Sequence, residues 1–172
     1  KSRFLALTAV IPTVEVLVQQ CIAGEKKAYR SLYERYNKAM FNTALRIVNN
    51  TADAEDILQE AFTDAFRQLK DFEGRSTFGA WLKQIVIYKS IGMLKKKKMA
   101  FVEMDESHDV AEELPDRDES NWYTVDFIRQ SLQHLADGYR TVLSLYLLEG
   151  YDQKEIAELL NVAPSTVRTQ YI

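Results

Sequence analysis

Apolar residues recur every three or four positions along most of the chain. Nowhere do they alternate with polar residues over a useful length, so the pattern predicts helices and no sheet. A first helix is expected over about 14–22. Ala23-Gly24-Glu25 breaks it from a second, where Tyr29, Leu32, Tyr33, Tyr36, Met40, Ala44 and Ile47 keep the spacing. Residues 51–71 give the clearest helix. Asn50 is its expected N-cap, with Asp53 three residues on in the manner of a capping box. Its apolar stripe is Ala54, Ile57, Leu58, Ala61, Phe62, Ala65 and Leu69, and Asp53, Asp56, Glu60 and Asp64 fall together on the opposite side. Residues 72–76 read as a loop, after which Ser76 or Thr77 caps a helix running to about Lys98, with Phe78, Trp81, Leu82, Ile85, Val86 and Leu94 inside. Its end carries Lys95, Lys96, Lys97 and Lys98, which suit the negative pole of a helix.

Further on, Trp122, Val125, Ile128, Leu132 and Leu135 share one helical face, and Val142, Leu143, Tyr146 and Leu147 share another. Asp152 then caps a short helix over 153–160. Asn161 fits the left-handed position that closes it, and Pro164 fits the first turn of a last helix.

Charge sharpens this division. The 172 residues carry a net charge of −3. Residues 103–119, however, hold nine of the 25 acids (Glu103, Asp105, Glu106, Asp109, Glu112, Glu113, Asp116, Asp118, Glu119) and one of the 22 bases, Arg117. The remainder has a surplus of five positive charges. Such a block reads as a solvated tether between two periodic halves. The fold expected is all-α: two small helical domains, at 13–98 and 122–172, joined by a flexible acidic linker over 99–121.

The lone Cys21 favours a reducing compartment. Lys1-Ser2-Arg3 and the apolar run Phe4–Ile11 look a little like a signal peptide, but Pro12-Thr13 ends the run and no small-x-small cleavage site follows. The simpler expectation is a segment that packs on the first helix or is disordered, and no run is long enough for a membrane span.

Three constellations carry chemistry. Asp152 to Arg168 has helix-turn-helix form: Ile156 and Ala157 face inward, and Val162 and Val167 fill the angle between the helices. Ser165, Thr166, Arg168, Thr169 and Gln170 are left outward as donors for base edges. The plainer reading is a helical hairpin in a bundle. The stretch 74–98 sets Phe78, Trp81 and Tyr88 beside Arg75, Ser76, Thr77, Lys83 and the lysine run, as single-stranded DNA requires, since bases stack on rings while phosphates meet cations. Against this, Phe78 and Trp81 could simply be core. The acidic stripe is a solvated face or a docking surface for a basic partner helix. It is a poor metal or acid–base site, because neither His108 nor His134 is near it in sequence. No nucleophile–base pair, phosphate loop or metal cluster is visible, so neither an enzyme nor a bound cofactor is expected.

Taken in order, these segments resemble the extracytoplasmic-function group of sigma factors, group 4 of the sigma-70 family, over about residues 13–172. Ala52 to Phe62 is similar to the family's polymerase-binding helix, Phe72 to Leu82 to its −10 recognition and melting segment, and Leu148 to Arg168 to its −35 reader. The resemblance implies an alternative sigma factor with a sigma2-like and a sigma4-like domain. In it, Asp53, Glu55, Asp56, Gln59 and Glu60 would meet the β′ clamp helices of core RNA polymerase. The loop Gly74–Phe78 would capture a flipped base of the −10 element. Lys95–Lys98 would hold the adjacent backbone, and Ser165, Thr166, Arg168, Thr169 and Gln170 would enter the −35 major groove. It further implies the polymerase β flap and an anti-sigma factor as partners, and a cytoplasmic protein. Tyr88 stands where related chains carry Asn and Gly92 where they carry Asp, and Ile172 falls about two turns into the recognition helix. Two other readings fit parts of the chain: a helix-turn-helix regulator acting without polymerase, and a helical adaptor that binds only protein.

Overall fold

The computed structural model describes residues 12–102 and 125–171, with side chains for 12–97 and for most of 128–171; among them there is no strand. Four helices form the first half: α1 (Val14–Ile22), α2 (Lys26–Val48), α3 (Thr51–Arg67) and α4 (Phe78–Val102), with a 3-10 turn at Leu69–Asp71. Four shorter ones form the second: α5 (Val125–Gln133), α6 (Asp137–Leu147), α7 (Gln153–Leu160) and α8 (Pro164–Tyr171).

Local chemistry sets the boundaries. Thr13 caps α1, accepting from the Val16 N–H, and Gly24 takes φ +89° in the break before α2. At that angle a side chain would be strained. Asn49 closes α2 in the left-handed region, and Asn50 caps α3 by accepting from the Asp53 N–H at 3.0 Å. The return half of the expected capping box is not formed, because the Asp53 carboxylate pairs with Lys97 of α4. Thr77 caps α4, accepting from the Ala80 N–H at 3.2 Å. That helix outruns its expected end by four residues, so the lysine run lies before the last turn rather than at it.

The core of the first half is the face that the periodicity marks. On α3, Ala54, Ile57, Leu58, Ala61, Phe62 and Ala65 are buried; they meet Leu32, Met40, Ala44 and Ile47 of α2 and Leu82, Val86, Ile87 and Ile91 of α4. Burying each large aliphatic side chain stabilises the fold by roughly 1.5–3 kcal/mol. Gly79 permits the close crossing of α4 over α2, since a Cβ there would lie 2.7 Å from Cε1 of Tyr36. The buried cluster continues into Val142, Leu145, Ile156, Ala157 and Val167 of the second half.

The leader at 1–11, the acidic linker from residue 103 onward and Trp122 lie outside the described residues.

Candidate docking and nucleic-acid interfaces

The acidic stripe of α3 is divided by its neighbour. Lys89 of α4 pairs with Asp64 at 2.6 Å and Glu60 at 3.2 Å, and Lys97 pairs with Asp53. Partial burial disfavours the Lys89 cation, but its bonds to Asp64 and Glu60 outweigh that and raise its pKa. The Lys89 hydrogen bond holds the Asp64 carboxyl below its ordinary value. Glu55 and Asp56 are exposed and, among the described residues, have no ion-pair partner. Glu55 and Gln59 rim an open groove between α2 and α3 that is otherwise lined by Tyr33, Asn37, Lys38, Phe41 and Leu58. The groove combines aromatic and apolar surface with a carboxylate edge, which suits a basic amphipathic helix. The lining from α2 had no signal in the sequence beyond Tyr33, whose ring is 38 % exposed where the periodicity placed it inside.

The second surface is built on α4. Phe78, Leu82, Val86, Ile87, Ser90 and Ile91 are buried, so most of its circumference is committed to the core. Of the two readings of Phe78, a stacking ring or a core ring, the structure gives the core: it is 2 % exposed and packs against Tyr36, Phe72 and Trp81. Trp81 is half-buried, 5.0 Å from the Phe72 ring. What α4 leaves outward is a stripe of Ala80, Gln84 and Tyr88, one turn apart, continuing towards Lys95 and Lys96. Tyr88 is 56 % exposed. Gln84 was not singled out from sequence, because a single glutamine carries no periodic signal. Arg75, Ser76 and Thr77 are exposed on the loop before α4, where Arg75 pairs with Glu73 at 2.5 Å. Lys83 faces away from this stripe, towards Glu149 at 3.1 Å. Lys95, Lys96 and Lys97 are exposed, and the side chain of Lys98 lies outside the described residues.

The third surface is the α7–α8 corner. Asp152 accepts from the Lys154 and Glu155 N–H groups at 2.8 Å, while Glu155 returns a bond to the Asp152 N–H, completing a capping box. Asn161 adopts φ +54° and turns the chain into α8. Ile156, Ala157 and Val167 are buried in the corner. Val162, expected beside them, is 39 % exposed: it directly follows the left-handed Asn161, which turns the chain outward before α8 begins. Ser165, Thr166, Arg168 and Thr169 are exposed on one short helix. Gln170 is half-buried against Gly138, where a Cβ would meet its amide.

Among the described residues no group of three or more His, Cys, Asp or Glu is placed to hold a metal, and no helix is long and apolar enough to cross a membrane.

Comparison with known proteins follows the same division. Residues 32–99 match the family model for sigma-70 region 2, and residues 128–171 match that for sigma-70 region 4, together more than half of the chain. The chain is 28 % identical over 169 residues to the ECF RNA polymerase sigma-E factor of Haemophilus influenzae, covering 92 % of this chain and 89 % of that one. It is 29 % identical over 164 residues to the ECF RNA polymerase sigma factor SigW of Bacillus subtilis, covering 89 % and 88 %. Among solved structures, it resembles CnrH in complex with the cytosolic domain of CnrY (TM-score 0.51, 23 % identity, 91 % and 88 % covered). It also resembles the sigma factor RpoE in complex with the anti-sigma factor NepR from Bartonella quintana (TM-score 0.54, 19 % identity, 84 % and 90 % covered).

Proposed function

The chain belongs to the extracytoplasmic-function group of the sigma-70 family and is an alternative sigma factor, and on that premise we propose how its surfaces divide the work. A sigma factor catalyses no reaction itself. It binds core RNA polymerase and brings it to promoter DNA.

Residues 13–98 are the sigma2-like unit, 99–121 the linker and 122–172 the sigma4-like unit. Glu55, Asp56 and Gln59, beside the aromatic groove, take the β′ clamp helices; Asp53 and Glu60 contribute by fixing α4 against α3 through Lys97 and Lys89. The loop from Arg75 to Thr77 and the α4 stripe of Gln84 and Tyr88 meet the opened −10 strand. There, the Tyr88 ring offers a stacking face and Lys95 and Lys96 meet phosphates. Phe78 and Trp81 act from beneath, as the packed support of that loop. Ser165, Thr166, Arg168 and Thr169 enter the −35 major groove, while Gln170 braces α8 on α6. The β flap meets the second half. An anti-sigma factor, as in the RpoE–NepR complex, would act by covering these surfaces. The place of action is the cytoplasm, where the polymerase is.

The observation that carries this reading is that one chain holds a helix-turn-helix corner and, between α2 and α3 of its other half, an open acidic and aromatic groove. A duplex-binding regulator has no use for the groove. A fluorescence-anisotropy titration against bacterial core polymerase, without DNA, tests it. Wild-type chain should bind, and Asp56→Lys, which sets a cation against a cationic partner, should weaken binding at least tenfold. Equal binding by the two would remove α3 as the docking face.

A further inference from the structure

The two halves meet through apolar side chains, with Val142, Leu145 and Ile156 continuing the core of the first half, and through buried polar groups beside them. Of the five buried polar residues among those described, Thr43, Arg140, Thr141 and Ser144 lie on α2 and α6, the helices that face each other across the boundary. At one end, the Arg140 guanidinium, 3 % exposed, donates to the Ile47 carbonyl of α2 at 3.3 Å. This puts a cation against the negative pole of that helix. The Asn49 amide donates to the Gln133 carbonyl at 3.1 Å.

At the other end is Glu149, whose side chain is only 4 % exposed. Its carboxylate pairs with Arg46 of α2 and with Lys83 of α4 at 3.1 Å, and accepts from the Thr43 hydroxyl at 3.3 Å. The backbone aims it. The Glu149 N–H is tied to the Ser144 carbonyl at 3.2 Å, and Gly150, at φ +81°, turns the chain immediately afterwards.

The polar groups make this boundary demanding in its geometry. Burying a carboxylate is costly, and an ion pair repays this only when its geometry is complete. Nε of Arg46, Nε of Arg140 and the hydroxyls of Thr141 and Ser144 are buried without a hydrogen-bond partner among the described residues. Each such group penalises the docked state. The apolar α2–α3–α4 core has no comparable feature apart from Thr43, which faces the boundary, and Ser90, whose hydroxyl is satisfied by the Val86 carbonyl. The first is an apolar core; the boundary adds to its apolar contacts a buried carboxylate that depends on partners from the other half.

We propose that Glu149 is an intramolecular latch: it docks the second half on the first and, while docked, withholds Lys83 of α4 from any other anion. Release of Glu149 frees the two halves to span separate sites. The consequence for Lys83 rests on the reading of α4 as DNA-facing, whereas the latch does not, and it is tested without DNA or polymerase.

The test is a pulsed electron-spin distance measurement on the full chain, labelled at Arg30→Cys in α2 and Lys154→Cys in α7, both exposed positions. Cys21 is 1 % exposed and its burial pushes the thiol up to about 11, so the label goes to the introduced cysteines. The latched chain should give one narrow distance. Glu149→Lys should convert it to a broad distribution, with the undocked fraction raised at least tenfold and helical circular dichroism unchanged. Combining it with Arg46→Glu and Lys83→Glu should restore the narrow distance. Should the reversal unfold α5–α8, Glu149→Gln carries the test through the same broadening. A narrow distance retained in Glu149→Lys or Glu149→Gln, or a broad one in the parent chain, would overturn the latch.

Discussion

The helices assigned to DNA, α4 and α8, are built in opposite ways. α4 has 25 residues and commits Phe78, Leu82, Val86, Ile87, Ser90 and Ile91 to the core, leaving a narrow outward stripe. α8, over Pro164–Tyr171, buries only Val167 fully and exposes four polar side chains near its start. The difference suits the two tasks proposed for them. Holding an unpaired strand open needs rings and cations on a surface that does not yield when a base is extruded, an event costing a few kcal/mol. Reading an intact duplex needs only donors presented by a helix narrow enough for the major groove. Substitutions on the buried face of α4 should therefore cost stability, and those on the outward face of α8 recognition.

The largest expected effect is on α4. Leu82, fully buried, should lose about 2–5 kcal/mol of folding stability as Leu82→Ala, read by chemical denaturation. A loss below about 1 kcal/mol would mean that α4 is less firmly anchored than its burial implies. Next comes α8. Arg168→Ala should weaken −35 duplex binding of the polymerase complex by about 1–3 kcal/mol and leave the thermal melt unchanged. A fall in melting temperature matching the loss of binding would put Arg168 in the fold rather than the groove. The smallest effect returns to α4. Gly92 has open space where a Cβ would stand, so Gly92→Ala should stabilise the helix by about 1 kcal/mol without disturbing its neighbours. Destabilisation would show that the chain needs a flexible point there.

Much of this was legible in the sequence, wherever a local rule decides the outcome. The buried stripe of α3 was readable because one amphipathic helix carries its own record of which face is covered. Asn50, Asp152 and Asn161 were readable because capping depends on neighbours within a few residues. What escaped depends on other helices. Nothing near Asp53 says that Lys97, 44 positions away, takes its carboxylate, or that Lys89 occupies Asp64 and Glu60. The exposure of Val162 and Tyr33 depends on how whole helices cross. Lys83 stands beside the DNA-facing cations in sequence, but the structure turns it to Glu149, a residue of the other half. The sequence presents the charges; the fold decides which of them remain free.

The division of labour between α4 and α8 is tested most directly by transcription from two templates, an intact promoter duplex and one already unpaired across its −10 element. Polymerase carrying Tyr88→Ala together with Gln84→Ala should be several-fold slower than the parent on the intact duplex and regain the parent rate on the opened one. Arg168→Ala should be impaired on both. If the Tyr88 and Gln84 variant is equally impaired on the opened template, or unimpaired on the intact one, the outward stripe of α4 is not the surface that holds the melted strand.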